Sequence, residues 1–355
     1  MKDDGLTLED RYRSVLRLLP GYYRNQWEED MVAAFLDSRI TGDEDEDEDE
    51  YVYEFGRPAW PEVVSVAGLA VRLYLGGSGT PRRYFAWGQA VRRAVLAVSM
   101  AHAAQGLGLL TLLAWRRDQA GWLPAVPASL AGSPPAGVWP MVTYAASCAW
   151  IIVFVALVAG HHRTAQAIAA LAVVASLLFL VHAQGSGMLA MRPPGSWGTW
   201  FLIDLAPVLA MTAFHRDAPP TARRSWLLAL PCYYLLVPLP GIILHATGNR
   251  VWLPDSAGLG CVVVSIACLA HAPRAMSRSP RAADPGVWSL ALTLLGILAG
   301  AWRIVSLGNY LHDPHLINVS LAELLILLTA VALVAPDAAR AQTPAPAPPA
   351  RPLVG

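Results

Sequence analysis

The sequence predicts an all-α chain: a polytopic transmembrane helix bundle of about eight spans behind a small N-terminal cytoplasmic helical module. Three observations predict it. First, 55% of the 355 residues are hydrophobic, only 15% are charged, and the mean hydropathy is +0.41, whereas a soluble domain carries about 25% charged residues. Second, apolar runs near the roughly 20 residues needed to cross hydrocarbon recur at 94–115, 138–160, 164–184, 197–214, 225–246, 256–272, 286–307 and 316–335. Third, with the N-terminus inside, thirteen arginines fall in segments assigned to the inner side. Five fall on the outer side: Arg116, Arg117, Arg192, Arg250 and Arg303. Positive residues accumulate on the cytoplasmic face, so the asymmetry predicts both termini in the cytoplasm of a multi-pass cell-membrane protein.

The elements follow in order. Met1 to Asp10 is polar and charged, and no short apolar run with a small-residue cleavage site follows, so no signal peptide is expected. Leu8, Tyr12, Val15, Leu16 and Leu19 recur at helical spacing behind a Thr7/Asp10 capping box, and Pro20-Gly21 ends the helix. A second helix from Tyr22 to about Asp37 places Tyr23, Trp27, Met31, Ala34 and Phe35 on one stripe. That stripe is either the module's own core or a partner-contact face built on Tyr23, Trp27, Met31 and Phe35. A third helix from Pro61 to Leu75 is apolar enough to pack on the first two, with Gly76 and Gly77 as its cap. Between them lie eight alternating acids, Asp43 to Glu50; their mutual repulsion predicts a disordered acidic linker over 41–52.

The stretch Arg11-Tyr-Arg-Ser-Val-Leu-Arg-Leu-Leu-Pro20-Gly-Tyr-Tyr-Arg24, followed by Trp27-Glu-Glu-Asp-Met31 and Phe35-Leu-Asp, resembles the short helical module that opens many actinobacterial integral membrane proteins. It is similar to the HAAS-type signalling, or permease-prefix, domain. The resemblance covers about the first 75 residues. It implies membrane-linked regulation, since family members are associated with PadR-type transcriptional regulators or fused to permease-like segments, and it supplies no catalytic residues.

The module is expected over 1–80 and the transmembrane domain over 81–335, with the segment 256–272 the weakest span. The fifth span holds Pro231, Pro238, Pro240 and Gly241, which a regular helix cannot accommodate. Trp115, Trp139, Trp197, Trp226 and Trp288 sit at span ends, as interfacial anchors do. Beyond Ala335, a Pro/Ala-rich tail over 336–355 reads as extended chain. Cys148, Cys232, Cys261 and Cys268 all lie within apolar runs and read as small apolar residues.

Ionisable residues inside hydrocarbon are costly and become site candidates by default. Asp204 and Glu323 fall seven residues inside the outer ends of their spans, about 10 Å deep at the helical rise, and Arg303 enters from the same side at about 6 Å. The side chain of Arg303 is long enough to reach either carboxylate, so an ion pair or triad is expected. It is either a gate or proton-coupled site, or interhelical glue; the remaining alternative is that Arg303 snorkels to the outer headgroups. His102 and Gln105 share a face of the first span at i, i+3 spacing, as an interhelical contact or as a relay. Adjacent His161 and His162 complete no metal site. No phosphate loop, zinc-binding helix, nucleophile elbow or dinucleotide fingerprint is present. The chain is therefore expected to be non-enzymatic, without cofactor or metal and without direct nucleic-acid contact. Its expected partners are the lipid bilayer and a cytoplasmic regulatory protein, with a permease subunit or small-solute transporter as the alternative reading.

Overall fold

A computed structural model of the chain describes residues 7–40, 57–76, 80–117, 119, 121, 137–185, 204–214, 222–246, 255–276, 285–308 and 313–342. Among these residues the chain is helical with no strand. The expected acidic linker and residues 343–355 of the expected tail lie outside the described residues, as do 197–203 of the fourth predicted span. The chain divides into two compact units, 1–88 and 89–355.

The first unit contains α1 (Leu8–Leu16), α2 (Gly21–Ile40), α3 (Trp60–Tyr74) and the first turns of α4 (Arg82–Arg116). Helix α1 starts at the expected capping box: the Asp10 amide donates to Thr7 Oγ1 at 3.2 Å, and the Thr7 amide donates back to the Asp10 carboxylate at 3.3 Å. Leu8, Tyr12, Leu16 and Leu19 then meet Val32 and Phe35 of α2 and Val66, Ala70 and Leu73 of α3 in one core. Tyr12 and Phe35 stack at 4.0 Å with ring planes 7° apart. The apolar stripe of α2 differs from the expected one. Val32 and Phe35 are buried, Tyr23 and Met31 pack at the core's edge, and Trp27 and Ala34 are exposed.

Val32 and Phe35 set that rotation by filling the core against Tyr12. At the surface, Arg13 of α1 donates to both carboxylate oxygens of Glu29, at 2.7 and 2.9 Å, and to Glu9 at 2.9 and 3.1 Å. This fork ties the Glu28/Glu29 side of α2 to α1. At the other side of the unit, Tyr84 in the first turn of α4 meets Tyr22 at 5.3 Å and Tyr74 at 5.6 Å.

In the second unit, six helices among the described residues are long and apolar enough to cross a membrane. They are α4, whose first turns belong to the first unit, then α5 (Val138–Ala159), α6 (His162–Gly185), the stretch Arg223–Ile243, α11 (Pro285–Leu307) and α12 (Pro314–Gln342). Two shorter apolar helices coincide with the fourth and sixth predicted spans: α7 (Asp204–Ala213) and the apolar part, Ala257–Pro273, of α10 (Ser256–Met276). Helix α4 is 35 residues long, about 50 Å at the helical rise. The arginines expected to precede the first span are thus part of the helix itself.

Helices α5 and α6 form a hairpin. Gly160 closes α5 with φ of +93°, a conformation that favours glycine. The backbone reverses there, and Val153, Phe154, Leu157 and Val158 pack with Ala165 and Ala169. The proline-rich fifth span breaks where the residues require it. Helix α8 (Arg223–Leu236) ends at Val237, and α9 (Pro238–Ala246) begins with a proline. Pro238 has no N–H to return to the preceding turn and is tolerated at a helix start.

One boundary corrects the sequence reading: α12 continues through Pro336 to Gln342, so residues 336–342 are helix and not extended tail. The segment Ala335 to Ala341 is mostly alanine, the strongest helix former, and Ala338 is buried.

Two outcomes are expected for the first unit. Phe35→Ala removes the stack on Tyr12 and costs about 3–5 kcal/mol, so limited proteolysis of the full-length protein cleaves within 8–40 while 285–342 stays intact. Hydrogen bonding from Arg13 holds the Glu29 carboxyl below its ordinary range. The Arg13–Glu29 clamp therefore contributes above the unfolded glutamate value of about 4.3 and is lost as pH falls through the lower folded value. The pair is exposed, so the effect is small: the same proteolysis with an acid-tolerant protease is slightly faster at pH 4 than at pH 7, and Glu29→Gln reduces that difference.

Candidate functional site

The buried charges of the second unit collect where α10, α11 and α12 meet. Arg303, near the end of α11, is 3% exposed. Its Nη1 donates to Asp255 Oδ1 at 2.7 Å, and its Nη2 lies 2.5 Å from Glu323 Oε2. Each residue is placed by its local sequence. Asp255 caps the start of α10, where the Gly258 amide also donates to its Oδ1 at 2.8 Å. Glu323 sits three turns into α12. Gly258 allows the close approach: a Cβ there would stand 2.7 and 2.8 Å from the two oxygens of Glu323. An isolated cation in hydrocarbon is prohibitive, and two carboxylates on two neighbouring helices remove that cost.

A second polar contact joins the same three helices far from the first. Ser289 of α11 is fully buried, and its hydroxyl donates to Asp337 Oδ2 of α12 at 2.9 Å. His271 Nε2 of α10 stands 3.1 Å from the same hydroxyl. His271 donates to or accepts from that hydroxyl according to its tautomer. Fourteen residues separate Ser289 from Arg303, and fourteen separate Glu323 from Asp337. Both intervals are about 21 Å at the helical rise. Between the two clamps apolar and small side chains pack together, including Cys261, Cys268, Leu292, Ala299, Leu327, Ala330 and Val334.

Sequence reasoning joins Arg303 to Glu323, and the structure places them in contact. It also offers Asp204 to Arg303. Here the structure differs: Asp204, at the start of α7, faces α4, with its Oδ1 3.9 Å from His102 Nε2. The His102 ring in turn stacks on Trp150 of α5 at 4.5 Å. Asp255, Ser289, His271 and Asp337 are absent from the sequence-derived set. A signal for Asp255 does exist, since an aspartate one residue before an apolar helix is a capping pattern.

His102 and Gln105 line a cavity of about 320 Å³ in this unit. Trp226 and Trp288, expected as interfacial anchors, also line it, with rings 6.3 Å apart, and Trp115 is 2% exposed instead of lying at an interface. No group of His, Cys, Asp and Glu among the described residues is arranged to hold a metal ion. All four cysteines are free. Comparison with protein-family models, with curated proteins and with solved structures finds no match.

The Arg303 clamp makes a quantitative prediction. Arg303→Met leaves two facing carboxylates, and Glu323→Met leaves a buried cation short of one anion. Either costs about 3–5 kcal/mol and lowers the midpoint of thermal unfolding in detergent. The double variant Arg303→Met/Glu323→Met recovers most of that loss, because Asp255 keeps its bond from the Gly258 amide. Equal destabilisation of single and double variants would contradict the pairing.

Proposed function

We propose that this chain is a non-enzymatic, multi-pass cell-membrane protein of regulatory or sensory type, whose N-terminal unit contacts a cytoplasmic partner. One observation carries the reading. The first unit has its own core, yet α3 leaves an apolar stripe uncovered along Trp60, Val64 and Val71, which are 80%, 64% and 40% exposed. These positions fall at i, i+4 and i+11, one face of a helix, and a contiguous exposed apolar patch marks an interaction site. Trp27 of α2, at 43% exposed, is the one member of the sequence-derived partner face that remains available; Phe35 is in the core and Tyr23 and Met31 are at its edge. The likeness of this segment to a signalling module supports the same direction. The arginine asymmetry supports a cytoplasmic N-terminus and C-terminus.

The charge arrangement favours this reading over a permease. Arg303 is answered by two carboxylates within one three-helix cluster, which is the expected form of structural neutralisation. Asp204 belongs to a different contact, so the three residues offered as a transport site are not together.

The test uses the full-length protein in its native membrane with a photocrosslinking residue at position 60, 64 or 71. The same cytoplasmic protein is expected to be captured from all three positions and not from a control at position 25. Trp60→Asp is expected to lower capture from position 64 at least tenfold. Adducts to lipid alone from all three positions would contradict the proposal.

A further inference from the structure

The cavity lined by His102 and Gln105 is drawn out along one helix. On α11 its wall runs through Trp288, Leu292, Leu295, Ala299 and Trp302. That is one helical face over fourteen residues, about 21 Å at the helical rise. The cavity holds about 320 Å³ along that face and is half-open, so it is an elongated slot. It falls at the small end of the 300–1,000 Å³ range of ligand sites.

The two ends of the slot differ. At one end the Arg93 guanidinium lies 4.8 Å over the Trp288 ring, and Trp226 faces the same tryptophan. Since α4 lines the slot from Ala97 to Gln105 and α11 from Trp288 to Trp302, both helices run in the same direction from this contact. Gln105 is twelve residues beyond Arg93, and Trp302 is fourteen beyond Trp288. Gln105, His102 and Trp302 therefore gather at the far end. Tyr233 and the apolar face of α10, Gly260 to Ala267, add further walls, and the slot stays half-open. The imidazole of His102 is held by its stack on Trp150 and its approach to Asp204. Gln105 is exposed although it lies in the middle of an apolar helix, so its amide is presented to the slot.

From this geometry we infer that the slot binds the single extended hydrocarbon chain of a lipid-soluble amphiphile, with its oxygen-bearing head accepting a hydrogen bond from Gln105. An elongated apolar slot fits the body of such a molecule, and the Gln105 amide at one end offers its head a partner. In hydrocarbon a polar head left without a partner costs free energy, which this amide removes at its end of the slot. Both acyl and isoprenoid chains carry this chemistry. The inference stands whether or not the N-terminal unit has the proposed partner; if it has, the slot is where the transmembrane unit senses.

The full-length protein in lipid nanodiscs is titrated with stearate bearing a nitroxide near its methyl end while tryptophan emission is followed. Trp226, Trp288 and Trp302 line the slot, so saturable quenching is expected, with a plateau at one probe per chain. Gln105→Leu is expected to weaken the apparent affinity at least fivefold with the same plateau. Ala267→Phe, which fills the slot, is expected to remove the saturable component. Because the Gln105→Leu change leaves packing intact, its effect does not depend on how the bulkier variant folds. Relief of quenching by palmitate but not farnesol assigns an acyl chain, and the converse assigns an isoprenoid. Quenching that rises linearly with probe and is identical in all three proteins would overturn the proposal, as would saturable quenching relieved by neither competitor.

Discussion

The second unit depends on the cost of an arginine in hydrocarbon. Arg303 lies near the end of an otherwise apolar helix, and a guanidinium at that depth persists only if anions come to it. Two do: Asp255 from the helix before and Glu323 from the helix after. Because the two carboxylates stand on different helices, neutralising one charge fixes three helices together. The Ser289 centre repeats the arrangement about 21 Å away, joining the same three helices through His271 and Asp337. Apolar packing between the two clamps has little preference for one rotation of a helix over another, since lipid tails are as apolar as leucine. The polar contacts at both ends supply that preference.

The first unit is held differently. There burial of Leu8, Tyr12, Leu16, Phe35 and Leu73 drives assembly, and the Arg13 fork on Glu29 ties α2 to α1 at the protein surface. An exposed ion pair contributes little stability. The same residue types thus do different work on either side of Gly88: Arg13 forms an exposed pair, whereas Arg303 forms a buried one.

Much of this was legible in the sequence, and the pattern of what was not is physical. The capping box at Thr7, the apolar face of α1, the break at Pro238 and the Gly160 reversal are local, and local chemistry decides them. The partnership of Arg303 with Glu323 was legible because charges in apolar runs are few and must be answered. Asp204 offers the same signal, and only tertiary packing tells which member of the candidate cluster it faces: His102 and not Arg303. Asp255 escaped notice because it stands just outside an apolar run, where an aspartate is ordinary. Asp337 escaped because Pro336 reads as the end of a helix, whereas the alanine-rich segment carries the helix past it and brings Asp337 to Ser289. The exposure of Trp27 is not legible because periodicity marks a stripe only to within one residue step, and the packing of Val32 and Phe35 decides that step.

Whether the Arg303 centre is sealed or reached by water decides between a structural lock and a conduit. Hydrogen–deuterium exchange of the full-length chain in lipid nanodiscs measures this most directly. A sealed lock predicts that peptides containing Arg303 and Glu323 exchange as slowly as the apolar stretch from Leu292 to Ala299. Exchange around Arg303 and Glu323 within seconds, with Leu292 to Ala299 still protected, would show water reaching the charges and would contradict the lock.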